Sequence, residues 1–161
     1  MLTNYVPSQL EVFISTLYKK LGITNPEDIK VDRIAKRLGI HLEISHHRNY
    51  SYIDNEIKII NLNGNLNELE KKKVFFHELA HLLFHQGNQI KLPNDFRDYQ
   101  ENQANNFIMY ALIPYHMLDI NSINSYKDMA YYFQTDETIC LDRIDKIRSN
   151  ILSRKEVKQI G

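Results

Sequence analysis

The run Val74-Phe75-Phe76-His77-Glu78-Leu79-Ala80-His81-Leu82-Leu83-Phe84 places three ionisable side chains in the middle of an otherwise apolar segment. Wound as a helix, this stretch is apolar nearly all round, and such a helix is expected to be central and buried. Burying His77, Glu78 and His81 is costly unless something pairs with them. A bound cation supplies that compensation. Residues four apart lie one turn apart on one helix face, so the two imidazoles can grip one ion from the same side. Glu78 is rotated from His77 by roughly 100°. It can lean toward a water on the ion without being a ligand itself. The competing reading is a helix with two packed histidines and a solvated glutamate. The apolar flanks count against it, because they leave the carboxylate little solvent.

This is the H-E-x-x-H arrangement of zincins, which makes Zn2+ the expected cofactor, His77 and His81 metal ligands and Glu78 the catalytic carboxylate. A catalytic zinc site needs a third protein ligand and an open position. His85 continues the same stripe but lies about 12 Å along the axis from His77, too far to share an ion with it comfortably. It reads as a helix-end histidine near the carbonyl ends. The metzincin extension would need glycine at position 84 and histidine at 87, where this chain has Phe84 and Gly87. Downstream, Glu101 shares a helical stripe with Ala104, Ile108, Ala111 and Leu112. It therefore points inward, and completes a His-His-Glu site if that stripe packs on the 77–81 helix. Asp98, one turn earlier, is the competing ligand. Asn105, one turn after Glu101, is either a partner for the free nitrogen of a ligand histidine or an exposed amide. Tyr110, Tyr115 and His116 are candidates to stabilise an oxyanion, with nothing to choose among them. His41, His46 and His47 read as surface residues.

The remaining periodicity predicts an α+β fold, with a small antiparallel sheet packed on a mostly helical zincin-like domain. Leu10, Phe13, Ile14, Leu17, Tyr18 and Leu21 recur at helical spacing from Ser8 to Leu21, where Gly22 stops the run. A short helix follows at about Val31–Leu38, closed by Gly39. His41–Ile44, Tyr50–Ile53 and Ile57–Ile60 read as strands, with Asp54-Asn55 as a hairpin turn. A long helix is expected from about Leu66 to His85, closed by Gly87, then a loop over Asn88–Pro93 and a helix from about Asp95 to Leu112 that Pro114 prevents from continuing. The C-terminal part reads as short helices, Ser125–Phe133 and Asp136–Ser149, with Ser125 and Asp136 as N-caps. The expected division is a zincin-like domain over 1–118 and a C-terminal helical lobe over 119–161, within one compact unit.

Charge and cysteine usage narrow the setting. Lys+Arg and Asp+Glu are both 20, so the chain is neutral with histidine uncharged. That balance argues against a protein that lives on nucleic acid or an anionic membrane. The lone cysteine, Cys140, requires no oxidising compartment. Residues Met1–Pro7 lack the pattern of a secretory leader, and no apolar run is long enough to span a bilayer. The expectation is a cytoplasmic protein without a membrane partner.

Phe76-His77-Glu78-Leu79-Ala80-His81-Leu82-Leu83-Phe84-His85, followed by Glu101-Asn102-Gln103-Ala104-Asn105-Asn106-Phe107 and Ala111-Leu112-Ile113-Pro114, resembles the ImmA/IrrE family of metallopeptidases. Ile57-Lys58-Ile59-Ile60-Asn61 and Arg33-Ile34-Ala35-Lys36-Arg37-Leu38-Gly39-Ile40 extend the resemblance, which covers about Val31 to Leu118. It implies His77 and His81 as zinc ligands, Glu78 as general base and Glu101, in preference to Asp98, as third ligand. Ala80 stands where members commonly carry glycine, a small departure. The resemblance further implies a site-specific endopeptidase, of the anti-repressor type that cuts a helix-turn-helix repressor of a phage or mobile element. The rival readings are a non-catalytic zinc-binding transcription regulator and a protein that sequesters a repressor without cutting it. Residues 128–138 have a helix-turn-helix rhythm. From 121 to 161, however, seven Lys/Arg face six Asp/Glu. A DNA reader wants a basic stripe, so direct nucleic-acid binding is not expected, and the segment reads as a packing or substrate-docking lobe.

Overall fold

The structure, a computed structural model, describes residues 5–85, 94–119 and 125–159, with side chains through 153. Gly87 and the loop expected over Asn88–Pro93 lie outside the described residues. The chain divides into two compact units, Ile29–Ala111 and a second made of Met1–Asp28 with Leu112–Gly161. The α+β class holds: six α-helices accompany a three-stranded sheet among the described residues.

The first helix of the unit Ile29–Ala111 is α2 (Val31–Arg37), which follows α1 (Gln9–Lys20) in chain order and buries Ile34 and Ala35. Its exit is made by Gly39 at φ +66°, a left-handed position that closes the helix and starts the first strand at once. Strands β1 (Ile40–Ser45), β2 (Tyr50–Asp54) and β3 (Ile57–Asn63) form one sheet in the order β1-β3-β2. β2 and β3 are an antiparallel hairpin in which Asp54 pairs with Ile57. The turn is therefore Asn55-Glu56, one residue later than the sequence suggests. Both residues have positive φ, 44° and 73°, as a two-residue type I′ hairpin turn requires.

The expectation of an antiparallel sheet needs correcting at β1. It pairs parallel to β3, from Ile40 opposite Lys58 to Ser45 opposite Asn63, so the sheet is mixed. Alternation of apolar residues marks strands but not their neighbours. The arrangement is set by polar side chains at the end of β3. Asn61 is fully buried; its Oδ1 accepts from the Ser45 hydroxyl at 2.8 Å and its Nδ2 donates to the Arg48 carbonyl at 3.0 Å. Asn63 donates from Nδ2 to the His47 carbonyl, and its N–H donates to Asn49 Oδ1. These bonds draw the end of β1 and the 46–49 loop alongside the end of β3, and they satisfy a buried amide that would otherwise be expensive. Helix α3 (Glu68–Phe84) then packs on β2 and β3, and α4 (Asn94–Leu112) follows.

In the other unit, Ser8 and Glu11 form a capping box on α1: the Ser8 side chain accepts from the Glu11 N–H, and the Glu11 carboxylate accepts from the Ser8 N–H at 2.7 Å. Single 3-10 turns lie at Pro26–Asp28 and Tyr115–Met117. Helix α5 (Tyr126–Phe133) ends at Gln134 in the left-handed conformation and leads into α6 (Glu137–Gln159), where the Asp136 side chain accepts from the Ile139 N–H. α6 runs ten residues beyond the Ser149 end expected from the sequence, because no glycine or proline interrupts 137–159. The C-terminal part is thus not only short helices.

The feature of this unit that the sequence did not announce is a buried ion pair. Arg143, fully buried, donates from Nη2 to Glu11 Oε1 at 2.6 Å, from Nε to the Ile113 carbonyl at 3.2 Å and from Nη1 to the Tyr5 hydroxyl at 3.2 Å. Tyr5 in turn donates to Glu11. Burial alone would raise the Glu11 carboxyl, but Arg143, Tyr5 and the Ser8 N–H outweigh it and hold it below its ordinary 4.5. The carboxylate is therefore stabilising above that value, and its contribution is lost as pH falls through the lower folded-state pKa. Glu11→Gln leaves a buried guanidinium without its counter-charge and is expected to cost about 3–5 kcal/mol in urea unfolding at neutral pH. The variant's deficit should shrink as the wild type is acidified below pH 4.5.

Candidate metal centre

The site is assembled from two consecutive helices of the Ile29–Ala111 unit. Asn67 caps α3 and forms a capping box with Glu70, Asn67 Oδ1 accepting from the Glu70 N–H at 2.9 Å and Glu70 accepting from the Asn67 N–H at 2.8 Å. This fixes where the helix begins, and so which residues face the sheet. Phe75, Phe76, Leu79, Ala80 and Leu82 are buried, whereas His77, Glu78 and His81 are half-buried. The helix is less enclosed than its apolar sequence suggests, and His77, Glu78 and His81 lie on its partly open side. On α4, Ala104, Phe107 and Ala111 are buried. Phe107 packs against Phe76 and Phe84 of α3, with ring centroids 6.3 and 6.0 Å apart. That contact holds Glu101, on the same stripe of α4, against the histidines.

The resulting geometry is close. His77 Nε2 and His81 Nε2 are 3.0 Å apart. Glu101 Oε2 lies 3.4 Å from His77 Nε2, and Glu101 Oε1 lies 3.4 Å from His81 Nε2. One donor atom from each of the three residues falls within 4.8 Å of the others. Donors about 2.0–2.1 Å from a tetrahedral zinc ion stand about 3.3 Å from one another. The donor set is thus of the right type and nearly the right spacing for such an ion. Burial, reinforced by His77 and His85 and opposed by Glu101, lowers His81 to about 4 from its ordinary 6.5. Its imidazole is accordingly neutral at pH 7, the form that binds metals.

Glu78 is on the same turn, and its Oε2 accepts a hydrogen bond from the Ser51 hydroxyl of β2 at 2.7 Å. The sheet therefore orients the carboxylate beside the ligands. Nothing in the sequence singled Ser51 out. A second residue acquires a new place as well. His85 is buried, its Nδ1 is 3.0 Å from His81 Nδ1, and its Nε2 is 2.7 Å from Gln103 Oε1. The i, i+4 spacing from His81 was the available signal. The 12 Å reckoning considered only a shared ion. Asp98, the rival ligand, is exposed and is not part of the donor group, and Asn105 is exposed. His41, His46 and His47 are exposed. Of the oxyanion candidates, His116 lies in the other unit with its Nδ1 2.6 Å from the Ser15 hydroxyl.

Two metal-type donors one turn apart, a carboxylate between them in sequence and a third donor from the next helix make up the layout of a metallopeptidase-type domain. The comparisons with known proteins agree. Residues 35–139 match the Peptidase M78 profile, the IrrE N-terminal-like domain, and the chain belongs to this family. It is 31% identical over 146 residues to YqaB of Bacillus subtilis (strain 168), covering 88% of this chain and 85% of YqaB. It is 39% identical over 113 residues to the phage-like element PBSX protein XkdA of the same organism, covering 69% of this chain but 56% of XkdA. In fold it is similar to a solved structure described as a Mycobacterium tuberculosis transcriptional regulator, with TM-score 0.61 and 16% identity, over 87% of this chain and 47% of that one.

The donor geometry separates the two candidate carboxylates of α4, Glu101 and Asp98. Glu101→Gln is expected to weaken zinc binding by at least about tenfold in a chelator competition, while Asp98→Asn leaves it unchanged. The reverse order would move the third ligand to Asp98.

Proposed function

We propose that this chain is a zinc-dependent, site-specific endopeptidase. The observation that carries the reading is the convergence of His77, His81 and Glu101 donors at 3.0–3.4 Å beside a carboxylate, Glu78, that a neighbouring strand holds in place. A zinc ion bound there supplies Lewis acidity, acidifying water and polarising a carbonyl. His77, His81 and Glu101 are the residues that would hold it. Glu78 is the general base. Its Oε2 is occupied by Ser51, so Oε1 takes the proton as the water oxygen attacks the carbonyl carbon. The C–N bond then breaks, and Glu78 returns that proton to the leaving amine nitrogen. The products are a carboxylic acid and an amine, and the proton left on the acid passes on so that they leave as a carboxylate and an ammonium.

The substrate is proposed to be a helix-turn-helix repressor of a phage or mobile element, cut at one or very few bonds. Similarity to a phage-like element protein supports this, as does the resemblance to anti-repressors. A physical argument adds to it. β2 is an edge strand of the sheet and carries Ser51 next to Glu78. Its unpaired edge offers N–H and C=O groups to an extended segment of a partner, with half-exposed Tyr52 beside them. Recognition of this kind selects a docked protein segment over any passing peptide.

The rival regulator reading has one observation in its favour, the α5–α6 pair joined through left-handed Gln134. The start of α6 is acidic, with Asp136 as cap and Glu137 following, and a phosphate backbone is repelled there. No helix among the described residues is long and apolar enough to cross a membrane.

Wild type and Glu78→Gln are to be incubated with casein and with the repressor encoded beside the gene. Wild type should cut the repressor at one or few bonds and spare casein. Glu78→Gln should retain zinc and lose at least about 100-fold in turnover, the usual scale of general-base catalysis. Rapid casein degradation with the repressor intact would remove the anti-repressor assignment while leaving the peptidase one. Turnover by Glu78→Gln equal to wild type would remove both.

A further inference from the structure

We infer that His85 and Gln103 form a positioning relay that fixes the tautomer of His81 and so aims its Nε2 lone pair at the metal centre. The inference rests on the metal-centre reading above and assigns roles to two residues outside the ligand set.

The relay begins on α4. Gln103 presents its carbonyl oxygen, Oε1, to His85 Nε2 at 2.7 Å. A carbonyl oxygen only accepts, so His85 Nε2 must carry the hydrogen. A neutral imidazole holds one N–H, which leaves His85 Nδ1 as an acceptor. That atom lies 3.0 Å from His81 Nδ1. One of two facing ring nitrogens must donate, and here it is His81 Nδ1. His81 Nε2 is then bare, and it is this atom that sits 3.0 Å from His77 Nε2 and 3.4 Å from Glu101 Oε1. Reversing any link reverses the outcome. A relay running the other way would place hydrogen on His81 Nε2, pointing into the donor group and blocking coordination.

The placement suits this role. His85 is the C-cap of α3, and its backbone N–H donates to the His81 carbonyl at 2.9 Å. Any substitution at 85 other than proline keeps that bond, so the side chain can be changed without opening the helix end. The ring itself is buried, which shields the relay from water that could satisfy either nitrogen instead. Glu101 and Gln103 come from the same helix. α4 therefore supplies a ligand to the ion and the terminal acceptor of the relay together, and packing of Phe107 against Phe76 and Phe84 sets both.

Three variants separate positioning from packing. His85→Phe preserves an aromatic ring but cannot accept a hydrogen bond. His85→Gln loses the ring but restores a carbonyl acceptor. Gln103→Leu removes the end of the relay. Zinc affinity is read by chelator competition at pH 7, and thermal unfolding of each metal-free protein reports folding separately. His85→Phe should bind zinc about 10–100-fold more weakly, His85→Gln should recover most of that loss, and Gln103→Leu should fall between them. The opposite order, with Phe harmless and Gln harmful, would assign His85 to packing and overturn the proposal. Side-chain 15N shifts of the histidines give a second readout that needs no metal. In metal-free wild type His81 should carry its proton on Nδ1, and finding it on Nε2 would overturn the relay even if zinc binds. A wild type that shows the Nδ1 tautomer and binds no zinc would retain the relay and remove the metal-centre reading instead.

Discussion

The central constraint is that three lone-pair donors face one another across two helices. His77 and His81 bring their Nε2 atoms to 3.0 Å, a distance at which one of them must carry a hydrogen or both must share a cation. The third donor is a carboxylate, which attracts a proton or a cation but adds a further electron-rich atom at 3.4 Å. A cation at its centre would neutralise such a cluster and satisfy all three donors together. Much of the unit can be understood as the means of keeping the cluster assembled. The Asn67 capping box sets the start of α3, the Phe76, Phe84 and Phe107 rings set the position of α4, and the sheet supports the opposite face of α3 while reaching Glu78 through Ser51.

Sequence made the ligands legible because their logic is local. A helix repeats its face every three to four residues, so His77 and His81 could be paired and Glu101 could be aligned with Ala104 and Ala111 before any coordinates were known. The same rule explains what was overlooked. His85 stands to His81 as His81 stands to His77, yet the spacing argument tests it only as a third ligand and otherwise leaves it as a helix-end histidine. Its partner through Nδ1 is another ligand's back side, a relation that appears only when side-chain directions are known. Ser51 was not legible at all. A serine in a strand has no pattern that links it to a glutamate 27 positions later. The parallel pairing of β1 with β3 was hidden for a similar reason. Period-two alternation says which face of a strand is buried and nothing about which strand lies beside it.

Buried charge is handled differently in the two units. Around Arg143 the compensation is complete within the protein: one carboxylate, one carbonyl and one hydroxyl accept its hydrogens. An arrangement of this kind resists change, since every member depends on the others, and it ties the start of α1 to the middle of α6. Around His77 and His81 the arrangement is of another kind: two imidazoles and a carboxylate bring one donor atom each within 4.8 Å of the others. A guanidinium that meets three acceptors is a structural ion pair, whereas three converging donors have the composition of a metal-binding group.

The second difference is exposure. The Glu101 side chain is 45% exposed and that of His77 26%, whereas His81 is 11%. The cluster is therefore anchored on its His81 side and open on its Glu101 side. Rigid support and access usually compete, because side chains that reach solvent are free to move. Here the tasks are distributed. His81 is the least exposed of the three and is backed by His85, so the position of the cluster is fixed from within. Glu101 is the most exposed, and under the proposed function a substrate carbonyl and a water would arrive on that side. On the proposed function an extended substrate segment would be oriented by the strand edge nearest Glu78, and that edge belongs to β2, whose Ser51 donates to the carboxylate.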